Sequence, residues 1–105
     1  MILTTTNNIE GKTITDYLGI VSDVTYTSTF SQKGLSFKDM FSSTKSYEAY
    51  EKSLETAKEA AFQKLKMHAT KLKANAIVGI TIDVESISES MVSMISVVGT
   101  AVLVN

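Results

Sequence analysis

Between Ser46 and Leu72 the apolar positions recur at spacings of three and four, so that Tyr47, Tyr50, Leu54, Ala57, Ala61, Leu65, His68 and Leu72 fall on one stripe. That period predicts a long amphipathic helix over Ser46–Leu72, uninterrupted by proline. Its charges are sorted, with Glu48, Glu51, Glu55 and Glu59 towards the start and Lys64, Lys66, Lys71 and Lys73 towards the end, which complements the helix dipole. Each exposed charge contributes only about 0.3–1 kcal/mol, so burial of the stripe must supply most of the stability. Ser46 or Thr44 is expected at the N-cap. Lys73 stands where a C-terminal glycine is usual, and Asn75, which tolerates positive φ, is expected to help end the helix.

Elsewhere the period shortens to two. Ile2–Thr5 is a short β-prone start, and residues 7–12 form a turn. Over Thr13–Tyr26, Ile14, Leu18, Ile20, Val24 and Tyr26 share one parity, which predicts a half-buried strand with that face inward and a bulge or close approach at Gly19. Leu35, Phe37, Met40 and Phe41 predict a helical turn, with Ser36 and Asp39 spaced as a capping pair; the FKDMF stretch reads as core filling before a partner-docking flap. Ala76–Ser88 alternates, with Ile80, Ile82 and Val84 on one face and Thr81, Asp83 and Glu85 on a wetter one. Glu89 and Ser90 make a turn, and Met91–Val104 returns as a strand that is apolar on both parities. One helix covers only one face of such a strand, and soluble monomers rarely leave large apolar patches in water, so an oligomer is expected.

Length and charge narrow the picture. At 105 residues the chain is expected to form a single domain, 1–105, around one modest core. A formal net charge of -1 provides no basic field for nucleic acid. With no cysteine there is no disulfide framework or thiolate metal site, and a cytoplasmic location is expected. Polar Thr4–Asn8 follows Met1–Leu3 directly, unlike a signal peptide, and Met91–Val104 is too short and too interrupted to span a membrane.

Candidate chemistry is sparse. His68, the one histidine, lies on the apolar stripe and reads first as a core or interface imidazole; as a metal ligand it needs partners from other subunits. Asp83 and Glu85 sit two apart on one strand face, suited to a hard cation or to acid–base work, with Asp16 or Asp23 joining them if the strands are adjacent. A solvated strand face has the same pattern. Lys58, near the middle of the stripe, is a candidate for anion binding, for snorkelling to solvent or for pairing with a carboxylate at a subunit contact. Gly79 and Gly99 lack phosphate-loop spacing, and the serines lack a nucleophile elbow. No cofactor is identified.

Four stretches carry a family resemblance: MILTTTNNIEGKTITDYLGIVSD (Met1–Asp23), YEKSLETAKEAAFQKL from Tyr50, LKANAIVGI (Leu72–Ile80) and VVGTAVLVN (Val97–Asn105). Together they resemble the YbjQ family, uncharacterised bacterial and archaeal proteins that carry a heavy-metal-binding label. The resemblance implies an α+β, two-layer, dodecin-like subunit, one long helix on an antiparallel sheet, that assembles into a ring, a homopentamer. It supplies no catalytic or ligand residues. The chain departs from the family at Ser43–Tyr47, which replaces a glycine-glycine-arginine-serine lead-in to the helix, and at Lys73, which replaces a glycine. One imidazole and no thiol is a poor donor set for a soft metal, and Met40, Met67, Met91 and Met94 read as fillers. The functional expectation is a non-enzymatic ring-forming protein that binds a small ligand or ion at subunit interfaces. A heavy-metal site built between subunits from His68, Asp83 and Glu85 is the alternative, ahead of a hydrolase or lyase using carboxylates with Lys58.

Overall fold

A computed structural model of the chain describes residues 1–27, 43–87 and 92–105, with backbone alone for 43–47. Four strands, β1 (Ile2–Leu3), β2 (Ile14–Tyr26), β3 (Ala76–Ile87) and β4 (Val92–Val104), and one helix, α1 (Ser43–Lys71), form an α+β fold. The strand order is β1-β3-β4-β2. β3 and β2 flank β4 antiparallel, whereas β1 runs parallel to β3, so the sheet is mixed and not wholly antiparallel as expected. The expected turn around Ser36 and Asp39, and the turn at Glu89 and Ser90, lie outside the described residues.

Helix α1 begins three residues before the predicted start, which puts Thr44 and Ser46 inside the helix and not ahead of it. Its buried stripe is Ala57, Ala61, Leu65 and Ala69, flanked by Leu54 and Phe62. Three alanines let the helix axis approach the sheet, and Leu65 fills the space between them against Ile77, Ile95, Val97 and Ala101. Ala69 takes the position in the stripe that periodicity assigned to His68, and Leu72 is exposed.

The helix ends on Lys73, not Asn75. The Lys73 amide donates to the Thr70 carbonyl at 2.9 Å and the Ala74 amide to the Ala69 carbonyl at 3.0 Å, the paired bonds of a Schellman motif, with Lys73 at φ 66° in its left-handed position. A side chain there costs about 1–2 kcal/mol. Lys73→Gly is therefore expected to stabilise the protein by about 1 kcal/mol, seen as a higher urea midpoint at unchanged slope. Asn75 acts instead through its side-chain amide, which donates to the Val104 carbonyl at 2.9 Å and accepts from the Val104 amide at 2.8 Å, prolonging the β3–β4 ladder by one rung.

Strand β2 overturns the expected face. Register slips between Ile14 and Asp16 and again between Tyr17 and Gly19, where Gly19 adopts φ 140°. The second slip is a bulge that exchanges inner and outer parity for the rest of the strand. Beyond it Val21 is buried and Asp23 and Thr25 are half-buried under α1, while Ile20, Val24 and Tyr26 point to the opposite face, Ile20 at 77% exposure. Strand β3 also slips, between Val78 and Thr81, and from Thr81 onward it is exposed on both faces. The cause is the position of α1, which packs chiefly over β2 and β4 and leaves Ile82 and Val84 bare on its own side of the sheet.

Strand β4 is lined on both sides, as its composition demanded. Its odd-numbered residues, Ile95, Val97 and Ala101, face the helix. On the other face Val102 packs with Ala76 and Val78, partly covered by Ile9, Ile14 and Val104. That cover stops short, and Val98 stays exposed beside Ile20 and Val24.

Candidate functional site

The bulge at Gly19 places a carboxylate beneath the helix. His68 and Lys64, one turn apart on the flank of α1 that overlies β2, both reach Asp23. His68 Nε2 lies 2.8 Å from Asp23 Oδ2; a carboxylate only accepts, so Nε2 carries the proton and donates. The Val24 amide donates to Asp23 Oδ1 at 2.7 Å, and Lys64 Nζ stands 3.9 Å from the same oxygen. Burial pushes the Asp23 carboxyl up, but the His68 hydrogen bond, the Val24 amide and the Lys64 charge outweigh it and hold it below its ordinary 3.8.

A depressed carboxyl stabilises the fold above its unfolded pKa and loses that contribution as pH falls through the folded one. Asp23→Asn is thus expected to destabilise by up to about 1 kcal/mol near pH 5, a modest figure because His68 and Lys64 are partly exposed. The gap between the two proteins should close as pH drops below 3.8, traced by urea unfolding at a series of pH values.

His68 is thus an exposed, oriented imidazole and not the core residue its position in the stripe suggested. Its Nδ1 makes no hydrogen bond among the described residues. With Nε2 held by a carboxylate, that nitrogen is disposed to accept one hydrogen bond or one coordination bond, the arrangement that commonly supports a metal-bound histidine. Asp83 and Glu85 are elsewhere: they pair with Ser96 and Met94, which puts them on the sheet face away from α1, beside Val98. One subunit therefore does not unite them with His68, and no cluster of three or more His, Cys, Asp or Glu side chains occurs among the described residues. Asp16 is exposed near the end of the sheet, paired with Leu103. Lys58 finds its carboxylate within its own helix, Glu55 at 3.5 Å. The Asp23–His68 contact joins positions 45 apart, and its single local signal was Asp23 on the polar parity of β2.

On the opposite flank of α1 a groove of about 530 Å³ opens between the helix, β3 and the N-terminal segment, lined by Leu3, Phe62, Ile80, Ile82, Glu59 and Lys66 among others. No described helix is long and apolar enough to cross a membrane.

The fold has a solved counterpart. A crystal structure of a Pediococcus pentosaceus protein of unknown function matches with a TM-score of 0.62 at 22% identity, covering 100% of this chain and 98% of that one. A UPF0145 protein of Corynebacterium jeikeium is 39% identical over 104 residues, 97% of either chain. The sequence model of the YbjQ family, described as "Putative heavy-metal-binding", matches residues 1–105. By that match across its whole length, and by its identity to the corynebacterial protein, the chain belongs to the YbjQ family.

Proposed function

We propose that the protein is a non-enzymatic, cytoplasmic subunit of a dodecin-like ring, a homopentamer, that binds a small ligand or ion at its subunit contacts. The observation that carries the ring is a matched pair of open borders. Among the described residues, strand β2 has no partner on its outer side, hydrogen bonding between the N-terminal segment and β3 stops at Ile80, and Thr81–Ser86 stay open. Beside these borders an apolar stripe of Tyr17, Ile20, Val24, Tyr26 and Val98 is exposed. An open edge with an apolar face is a template for another strand. Joining β2 of one copy to β3 of the next is head-to-tail, and a head-to-tail contact closes into a ring where its rotation divides the full circle. The helix overhanging β2 then lies towards the neighbour's bare Val84.

Sedimentation velocity tests this. The wild-type chain is expected to run as one pentameric species, and the double variant Ile20→Lys with Tyr26→Lys as a monomer with unchanged circular dichroism. A wild-type chain that stays monomeric at micromolar concentration rejects the ring.

The oriented imidazole favours a second reading, with His68 as one ligand of a divalent metal and Asp23 as the carboxylate that sets its tautomer. The family description supports it. One subunit supplies too few donors, so the remaining ligands come from a neighbour or from water. Calorimetry with zinc, copper and nickel, repeated on His68→Ala, decides it: a tight site lost in the variant supports this reading, and no site or an unchanged one removes it. No observation among the described residues favours the hydrolase or lyase reading.

A further inference from the structure

We infer that the groove between α1 and β3 is a binding site for a small amphipathic anion, an apolar chain ending in an acid group. This rests on the small-ligand part of the function proposed above and is independent of the ring. The groove has the volume of an ordinary ligand pocket, about 530 Å³. Its apolar surface comes from three elements, with Leu3 from β1, Phe62 from α1 and Ile80 and Ile82 from β3. Phe62 and Leu3 are only partly buried at the edge of the main core, and Ile82 is 40% exposed, so apolar area there is left to be covered.

The two ionic side chains at the groove differ in their freedom. Glu59 accepts from Gln63 Nε2 at 2.9 Å, one turn along the helix. Lys66 is half-buried, and its ammonium group has no ion pair or hydrogen bond among the described residues. Its aliphatic stem therefore extends the apolar wall while its ammonium group stands unpaired at the mouth. An apolar floor with one uncommitted cation at its edge fits a hydrocarbon tail whose carboxylate or phosphate meets Lys66. Asp23 and His68 take no part, because they lie on the other flank of the helix.

The probe is decanoate, compared with decylammonium, which has the same tail and the opposite head. Calorimetry on the full chain is expected to show decanoate binding at least tenfold more tightly than decylammonium. Lys66→Gln should weaken decanoate by about tenfold, which corresponds to one charged hydrogen bond of about 1.4 kcal/mol, and erase the preference between the two heads. Ile82→Glu should abolish decanoate binding, while a partial retention of decylammonium in that variant would show that the groove is still formed. No decanoate binding, equal binding of the two heads, or decanoate affinity unmoved by Lys66→Gln overturns the inference. So does dissociation of the wild-type assembly by Ile82→Glu without any decanoate binding to wild type, because a second copy of the chain then fills the groove. Sedimentation of the same samples separates the two proposals: a monomer that binds decanoate removes the ring and keeps this site, and a pentamer that does not bind it does the reverse.

Discussion

Replacing Leu65 with alanine is expected to cost about 3–5 kcal/mol of folding stability, the largest loss from truncating any described side chain of the helix. Among the described side chains of α1, Leu65 is the one large one that is fully buried; its neighbours along the stripe, Ala57, Ala61 and Ala69, already bring the helix as near the sheet as their methyl groups allow. Truncation therefore removes most of the wedge that joins α1 to Ile77, Ile95 and Val97, and the rigid sheet beneath cannot collapse into the space. A domain of this size has about 5–15 kcal/mol to lose, so Leu65→Ala should sit near the limit of a folded chain at 25 °C. Urea unfolding followed by circular dichroism measures it. A loss below about 1 kcal/mol would mean that the helix is held mainly by its flanks, through contacts such as Tyr50 with Ser93 and His68 with Asp23.

Gly99→Val is expected to cost about 3 kcal/mol for the opposite reason, overfilling. A Cβ at position 99 would meet Ile77 Cγ2 at 2.7 Å, Ile80 Cγ1 at 3.0 Å and the Val78 carbonyl oxygen at 3.3 Å. Ile77 and Ile80, on either side of Val78 where the register slips, converge on position 99, and Gly99 is the hollow that receives them. One of the three contacts is backbone, so the strain cannot be relieved by side-chain rotation alone. The milder Gly99→Ala, combined with Ile77→Ala, should cost at least about 1 kcal/mol less than the two single changes added together, because the second vacates the atom the first collides with. Strict additivity would sink the steric explanation.

The residues most legible in the sequence are those whose environment is local. The helix announced itself because Leu54, Ala57, Ala61 and Leu65 keep the helical period through its whole middle, and the two-faced composition of Met91–Val104 anticipated a strand with apolar groups on either side. Strand β2 was legible as a strand but not in its orientation. A bulge costs one residue of phase, so Ile20, Val24 and Tyr26, apolar and correctly spaced, end up outside, while Asp23 and Thr25 go under the helix. Gly19 within the strand marks a site for such a slip; whether the slip occurs is decided by pairing with Gly99–Ala101 at the far end of the chain. Lys73 hides its role because residue type argues against a left-handed conformation that the Ala69–Ala74 closure imposes. The Asp23–His68 pair had no local signature, since helix and strand meet there only after the fold is complete. Asp83 and Glu85 show the converse: the spacing placed them on one face correctly, but not on the face that carries the histidine.

The long β2–β4 pairing also governs when the molecule becomes finished. Strands β3 and β4 are consecutive and α1 directly precedes them, so these three close over short stretches of chain, whereas β2 must find a partner that lies at the opposite terminus. Contacts of that range are the slow ones in folding. During synthesis β2 therefore waits unpaired until β4 has left the ribosome, with Val21, buried in the finished fold, uncovered until then, and this interval is when the chain is most exposed to aggregation. Pulse-labelled hydrogen exchange should find the β2 amides protected last, after those of α1, β3 and β4.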